Sequence, residues 1–284
     1  MNPISSESRR LDLTGAATRI LTLAVVTIFL LPLIWAVSAS LRQTGVPWPR
    51  TLEWLPDPLA WQNYRSVFQL LPLLRFALNS LFIVVLAVPL TILVASMTGF
   101  AISQISRIWR RRVLAFSVMC MLIPITAIWL PRFIMYKEAG LINRRLVLIV
   151  PAMMGTSPLY VLLFVWAFLR VPREVYDAAR LDGAGPIRMW LGVAMPLGRP
   201  AIISVAVLAS VHYWNSFIEP LLYIRTTDKM VASQGLRMLY QLESTNWPLI
   251  MTGAILMIAP VLLLFVIAQH YFFQDTRGQS VLGH

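Results

Sequence analysis

The stretch EVYDAARLDG, Glu174–Gly183, is the most informative part of this 284-residue sequence. It lies in a polar loop between two long apolar runs, and the segment VAMP follows it at residues 193–196. Carboxylates near its start suit the positive end of a helix, and a glycine at its end can adopt the positive φ that stops one. The pattern predicts a short amphipathic helix that ends at Gly183, followed by a second short helix through 187–193 to Pro196.

Charged residues of the first short helix are spaced so that they can pair. Arg173 and Asp177 are four residues apart, and Asp177 and Arg180 are three apart. Side chains at both spacings meet on a helix surface, so the sequence predicts two ion pairs within this loop.

The composition of the whole chain indicates a membrane protein. Hydrophobic residues make up 58% and charged residues 13%, whereas a soluble domain has about 45–50% apolar and about 25% charged residues. The net charge is +12, but the arginines are scattered through short loops between apolar runs. That placement is typical of cations that flank membrane spans, and it argues against binding to nucleic acid.

Several stretches are apolar enough to cross the hydrocarbon core of a membrane, which takes roughly 20 residues for a helix. Five prolines within them predict kinks, since neighbouring helices can satisfy the freed carbonyl groups: Pro32, Pro89, Pro124, Pro158 and Pro260. The fold class that follows is all-α: a polytopic integral membrane protein with six transmembrane helices in a single domain over residues 1–284. The predicted spans are residues 20–41, 77–105, 113–129, 147–169, 202–224 and 249–273.

The orientation of the chain is indicated by its loops. Six spans place both termini on one side, and arginines crowd the short link 104–112, as expected of a cytoplasmic loop. The long segment 42–75 then lies outside, where Trp48, Trp54 and Trp61 suit the boundary between membrane and water. Two interpretations of this segment stay open, which are a packed external cap and a surface that meets a substrate-delivery protein.

The polar loop resembles the cytoplasmic coupling loop of ABC importer permeases. That family's pattern is EAA, three residues, G, nine residues and I-x-L-P. Asp177 stands for the Glu of the pattern, and every spacing up to Pro196 matches. The resemblance implies a cytoplasmic coupling helix-turn-helix between spans 4 and 5, within residues 171–199. It also implies that the following residues contact an ATPase subunit: Glu174, Asp177, Ala178, Ala179, Asp182, Gly183 and Pro196.

Further motifs extend the resemblance over most of the chain. Trp214–Phe217, with Pro220, resembles the W-N-x-F-x-x-P signature in the fifth span of carbohydrate-type permeases. Asn79-Ser80 resembles an N-S pair, and GLIN at 140–143 resembles a G-L-x-N stretch of the same family. The likeness is to the second permease subunit of maltose-type sugar importers, and it loosens in the tail Gln274–His284.

Polar side chains in the fifth predicted span form a candidate translocation path. His212, Asn215 and Glu219 are spaced i, i+3 and i+7, which predicts one shared helical face. Polar groups in hydrocarbon usually face a water-filled path or the interior of a helix bundle. Two interpretations stay open. These residues line a path in which Trp214, Phe217 or Tyr213 stacks on a sugar or closes a gate, or they form hydrogen bonds between helices, with Glu219 near the outer interface.

Small residues repeat every four positions in the second predicted span. Ala95, Gly99 and Ser103 would let another helix backbone approach closely. The sequence leaves open whether that helix belongs to the same chain or to a second permease.

The sequence lacks a loop that could hold nucleotide. It contains no G-x-x-x-x-G-K-[ST] stretch to cradle phosphates, so ATP and magnesium are expected on separate ATPase subunits. Cys120 is the single cysteine, and His212 has no neighbouring ligand in sequence. We therefore expect a non-catalytic chain that binds no cofactor and no metal ion.

The resemblance implies the following function. The chain would be a multi-pass permease subunit in a bacterial or archaeal inner membrane, with both termini cytoplasmic, that imports a sugar or sugar-like solute. Its expected partners, besides membrane lipid, are a second homologous permease, an ATPase dimer and an extracytoplasmic solute-binding protein. A polyol or glycerol phosphate is an alternative solute. A stand-alone secondary carrier or channel is an alternative class that would not explain the loop spacing.

Overall fold

The computed structural model describes residues 4–45 and 54–279, and this part of the chain is helical without a β-strand. The all-α fold class is confirmed. Trp48 and residues 280–284 of the predicted tail lie outside the described residues. The α-helices are α1 (Ile4–Ser40), α2 (Gln62–Leu70), α3 (Leu73–Gln104), α4 (Arg107–Met121), α5 (Ile125–Glu138), α6 (Pro158–Leu169), α7 (Arg173–Leu181), α8 (Pro186–Met189), α9 (Met195–Leu197), α10 (Arg199–Asn215), α11 (Ile218–Tyr223), α12 (Ala232–Leu242) and α13 (Trp247–Gln279). Shorter 3-10 turns lie at Arg145–Leu148, Val150–Met154 and Thr227–Lys229, and a π-helical turn lies at Trp190–Ala194.

Several of these helices can cross a membrane by length and composition. Two helix pairs reach the required length only together, and they are bent by 89° between α4 and α5 and by 81° between residues 186–197 and α10. The described part of the chain therefore has four candidate spans, or up to six if each bent pair is one span. The predicted number of six stays a prediction. The four single spans are Thr18–Ser40, Leu73–Gln104, Arg145–Leu169 and Trp247–Leu264.

The third predicted span, 113–129, is not one continuous helix, and this corrects the sequence-based assignment. α4 ends at Met121, and α5 begins at Ile125 directly after Pro124. Proline has no N–H to donate and disfavours helical conformation in the residue before it. The chain therefore breaks before Pro124 instead of bending within one helix.

The other predicted kink positions differ from one another. Pro32, Pro89 and Pro260 lie inside α1, α3 and α13. Pro158 instead begins α6, where a missing N–H costs nothing because no helical carbonyl is available to it. Ser157 caps this helix start, and its hydroxyl oxygen accepts a backbone N–H bond of 3.3 Å.

One compact unit is formed by Met1–Leu71 with Met238–Leu256. Within it, the buried side chain of Asn63 in α2 donates to the carbonyl oxygens of Ser40 at 2.8 Å and of Arg42 at 2.7 Å. The last carbonyl groups of a helix lack partners inside that helix. These two bonds supply partners at the end of α1 and hold α2 against it.

The second compact unit is formed by Pro72–Arg237 with Met257–His284, and α3 packs against α6 and α10 at its centre. A Cβ atom added at Gly99 of α3 would lie 2.6 Å from the Cβ of Phe164 in α6. Ala95, one helical turn earlier, is fully buried. At Gly99, α3 therefore packs against a helix of the same chain, and the burial of Ala95 and Ser103 favours packing within the subunit at these positions too.

Candidate functional site

The polar loop is a helix-turn-helix in which α7 is followed by helical turns over residues 186–197. Gly183 lies in the turn with φ of 75°. Its N–H donates to the carbonyl of Arg180 at 3.0 Å, and the N–H of Ala184 donates to the carbonyl of Ala179 at 2.9 Å. A Cβ at Gly183 would meet no atom within 4 Å. Glycine is therefore required here by the left-handed backbone and not by lack of space.

Charged side chains attach α7 to the end of α3. Arg180 donates to Asp177 at 2.8 Å and, through its other terminal nitrogen, to the side-chain oxygen of Gln104 at 2.9 Å. Of the two predicted ion pairs, the described residues form the one between Asp177 and Arg180 and not the one with Arg173. Both partners are about half exposed or more, so the pair orients the loop and adds little stability.

Tyr176 anchors the loop to the transmembrane helices, and the sequence-based prediction missed it. Its side chain is buried, its hydroxyl donates to the carbonyl oxygen of Phe168 at 3.3 Å, and its ring lies 6.0 Å from that of Phe100. Burial raises the pKa of this hydroxyl above its ordinary value, so it remains a protonated donor. The available signal was an aromatic residue on the apolar side of an otherwise polar helix.

A close contact also fixes the far end of the loop. A Cβ at Gly198 would lie 2.7 Å from the ring of Phe168 and 2.9 Å from the carbonyl oxygen of Ala194. The loop is therefore held at Tyr176 and at Gly198, on both sides of its turn.

The remaining surface of the loop is exposed and includes large apolar side chains. Leu181 is 90% exposed, Ile187 is 67% exposed and Leu191 is 55% exposed. Exposed apolar side chains among charges are typical of a surface that meets another protein. The predicted ATPase contacts lie on this loop; Ala179 is half-buried, and the rest are exposed: Glu174, Asp177, Ala178, Asp182, Gly183 and Pro196.

The fifth predicted span is interrupted where the candidate path residues lie. α10 ends at Asn215, and Ser216 and Phe217 separate it from α11. Glu219 is therefore not on the same continuous helix as His212. The predicted spacing of one shared face does not extend to it.

Glu219 instead pairs with a residue that sequence reasoning missed. Its carboxylate accepts from the guanidinium of Arg132 in α5 at 2.8 Å, and the two side chains are 14% and 25% exposed. The signal in the sequence was a cation inside the apolar stretch 123–136, because ionisable residues at membrane depth are rare and usually paired.

The remaining candidate path residues lie in different surroundings. His212 and Asn215 are exposed, and Phe217 is half-buried. Trp214 is buried, and its indole N–H donates to the carbonyl oxygen of Met257 in α13 at 3.0 Å. The structure thus leaves His212 and Asn215 on an open surface, while Trp214 packs α10 against α13.

The N-S pair of the second span has a structural explanation. The Asn79 amide donates to the carbonyl oxygens of Asp228 at 3.0 Å and Met230 at 2.7 Å, and the Ser80 hydroxyl accepts from the N–H of Ala232 at 2.9 Å. These three bonds satisfy backbone groups of the segment that runs from the 3-10 turn Thr227–Lys229 to the start of α12, and they hold that segment against α3.

Asn143 holds the start of the same segment. It has a positive φ of 60°, and its side-chain oxygen accepts from the N–H groups of Arg225 and Thr226, both at 3.1 Å. Asparagine tolerates left-handed backbone better than most residues. Both the backbone conformation and the hydrogen bonds of the side-chain oxygen therefore favour asparagine at this position.

Comparison with known proteins gives the family. The family described as "Binding-protein-dependent transport system inner membrane component" matches residues 87–278. A similar protein is the arabinooligosaccharides transport system permease protein of Halalkalibacterium halodurans, with 29% identity over 247 residues, which cover 87% of this chain and 86% of the relative. Another is the diacetylchitobiose uptake system permease protein of Streptomyces coelicolor, with 27% identity over 268 residues, covering 93% and 87%.

A solved structure shares the fold. It is the crystal structure of a bacterial ABC transporter involved in the import of the acidic polysaccharide alginate, with a TM-score of 0.72 and 21% identity. The match covers 93% of this chain and 98% of that one. With the family match extending over about two thirds of its length, this chain belongs to the inner membrane components of binding-protein-dependent transport systems.

Proposed function

We propose that this chain is one permease subunit of an ATP-driven sugar importer, coupled to ATPase subunits through the loop Arg173–Pro196. The observation that carries the proposal is the exposed apolar surface at Leu181, Ile187 and Leu191 on an otherwise polar loop. That surface stands on a buried anchor, Tyr176. A partner that grips the surface therefore moves α3 and α6 with it.

Rigid attachment is what coupling requires. ATP binding would close the ATPase dimer, move the docked loop and switch the solute path between inward and outward access. ATP can shift this equilibrium only as far as it binds one state better than the other. If the base of the loop were flexible, the free energy of ATP binding would deform the loop instead of moving the helices. The contacts of Tyr176 and Gly198 hold the base in place. ATP and magnesium would be bound by the ATPase subunits.

The solute class is supported by the relatives. Their names specify arabinooligosaccharides and diacetylchitobiose, and a further relative from Agrobacterium fabrum, 27% identical over 255 residues, covering 89% of each chain, is a sulfoquinovosyl glycerol permease. All three are glycosides or sugars. A polyol or glycerol phosphate is the alternative that a solute screen would reveal.

The solute path is proposed to run past His212, Asn215, Phe217 and Glu219. Polar side chains on an open face of a membrane helix are costly in lipid, so His212 and Asn215 favour a partner permease or an aqueous path. The pair between Glu219 and Arg132 neutralises two charges at that path. Trp214 is assigned to packing on α13.

The first test is purification of the tagged chain from its host in mild detergent, with partners identified by mass spectrometry. We expect a second permease and an ATPase subunit to be recovered. In the proposed arrangement both termini lie on the cytoplasmic side. A solute-binding protein encoded beside them would identify the solute. A stable, folded chain recovered alone would favour a stand-alone carrier or channel.

Cross-linking tests the loop itself. In a Cys120→Ser background, Leu181→Cys should cross-link to the ATPase subunit, because this side chain is 90% exposed on the proposed docking surface. Leu55→Cys is the matched control, since Leu55 is 80% exposed on the segment predicted to lie outside. Cross-linking to the ATPase from Leu55→Cys alone would reject the proposed coupling surface.

A further inference from the structure

A groove beside the start of α4 has no role in the proposed transport function. Its volume is about 650 Å³, and it lies between α4 and α6. Arg107, Arg110 and Arg111 line one end of it. It lies at the end of a candidate membrane span, where a polar end and an apolar end of one ligand could both be accommodated.

The charges at the polar end have no anionic partner among the described residues. Arg107, Arg110, Arg111 and Arg112 fall within the first six residues of α4, whose first turn has no acidic residue. None of the four forms an ion pair with another described residue. Arg110 reaches only neutral backbone carbonyl groups, at 3.3 and 3.5 Å. Clustered guanidinium groups repel one another, and an anion between them would relieve that repulsion.

The other end of the groove is apolar. Leu114 and Val118 line it farther along α4 than the arginines, and Leu162 and Trp166 of α6 complete the lining of the groove. From Arg107 to Val118 the helix rises roughly 16 Å at 1.5 Å per residue. A small anion would fill one end only, whereas a ligand with an anionic head and a hydrocarbon chain matches both ends.

We infer that this groove binds an anionic phospholipid. Its phosphate lies between Arg107 and Arg111, which can each offer several N–H donors to phosphate oxygens. Its acyl chain lies along Leu114 and Val118 of α4, which line the groove beyond the arginines. Basic pockets between membrane helices bind anionic head groups in this way. The inference needs only that the chain resides in a membrane, and it does not depend on the solute or on ATPase coupling.

The test is native mass spectrometry of the purified transporter complex after exposure to phosphatidylglycerol, phosphatidylcholine or inorganic phosphate. We expect phosphatidylglycerol to remain bound to the wild type as a discrete adduct, and phosphatidylcholine to be lost. The variant Arg107→Gln/Arg111→Gln should bind phosphatidylglycerol roughly thirtyfold more weakly, because each arginine near a lipid surface contributes about fivefold to affinity.

A matched control lies on the same helix. Arg112 stacks over the ring of Trp109 at 5.1 Å and does not line the groove, so Arg112→Gln should bind phosphatidylglycerol as the wild type does. Equal loss in Arg112→Gln and in the double variant would overturn the site, since general charge would then explain the effect. So would equal retention of phosphatidylcholine, or an adduct of inorganic phosphate without one of phosphatidylglycerol. Absence of a phosphatidylglycerol adduct from the wild-type complex would also overturn the site.

Discussion

At the residue scale, backbone conformation and charge pairing decide which positions of this chain are constrained. Gly183 has open space around it yet carries a φ of 75°. Gly185, two residues on, has the same open space with a φ of −71°. The two glycines therefore separate the effect of conformation from the effect of added bulk.

If the loop couples to an ATPase as proposed, Gly183→Ala should reduce uptake, while Gly185→Ala should not. Alanine in the left-handed region costs about 1–2 kcal/mol, so the turn after α7 would shift and uptake would fall. Gly183→Asn should recover part of the uptake, because asparagine adopts this conformation more readily. Solute uptake is measured at matched amounts of assembled complex. Equal uptake in all three variants would show that the turn geometry does not matter for coupling.

The pair between Arg132 and Glu219 should couple more strongly than a pair on the loop surface. A double-mutant cycle with Arg132→Gln and Glu219→Gln should give an interaction energy of about 1–3 kcal/mol, since both side chains are mostly buried. The same cycle at Asp177 and Arg180, where the side chains are 62% and 49% exposed, should give at most about 0.5 kcal/mol. Thermal unfolding in detergent measures both. Equal coupling would mean that water reaches Glu219 freely.

At the element scale, helix packing inside the second unit depends on small residues in α3. Gly99→Ala places a Cβ 2.6 Å from the Cβ of Phe164 and 3.1 Å from the backbone nitrogen of Val165, so α3 and α6 must separate. Such overpacking costs about 1–3 kcal/mol. The control is Gly192→Ala, because a Cβ there meets nothing within 4 Å. We expect the unfolding temperature to fall in Gly99→Ala and not in Gly192→Ala. Equal unfolding temperatures in the two variants would contradict a close contact between α3 and α6 at Gly99.

Local sequence signals predicted local elements well. The charges and glycine of Glu174–Gly183 specify a helix and its stop within ten residues, and α7 ends beside Gly183 as those signals require. Pro124 was predicted to kink a helix, but its effect depends on whether neighbouring helices can satisfy the freed carbonyl groups. Whether they can depends on tertiary packing, which the sequence does not show. The span predicted at 113–129 therefore runs across the break between α4 and α5.

The candidate path residues are a second case in which the sequence alone does not predict tertiary contacts. Helical spacing placed Glu219 with His212, but that argument holds only while the helix continues, and it stops at Asn215. The partner of Glu219 is Arg132, 87 residues away in sequence. A single sequence can mark both charges as unusual in an apolar segment, yet nothing in their spacing shows that they meet.

At the scale of the whole molecule, the number of membrane crossings decides which surfaces a partner can reach. Asp182 and Thr227 are both exposed, and the bent pair formed by residues 186–197 and α10 is the one candidate span between them within the described residues. If that pair crosses the membrane, the two residues lie on opposite sides. If it enters and returns, they lie on the same side.

Cysteine labelling distinguishes these topologies because the chain has one native cysteine. In a Cys120→Ser background, Thr227→Cys should react with a membrane-impermeant maleimide in intact cells from which the outer envelope has been removed. Asp182→Cys should react only in inside-out vesicles that have been stripped of peripheral subunits, since a loop gripped by a cytoplasmic ATPase must lie inside. The unsubstituted parent should not react in either preparation. Labelling of both cysteines from the same side would show that residues 186–215 do not cross the membrane. The loop would then lie on the same side as the segment that Asn79 and Asn143 hold, which contradicts the proposed topology.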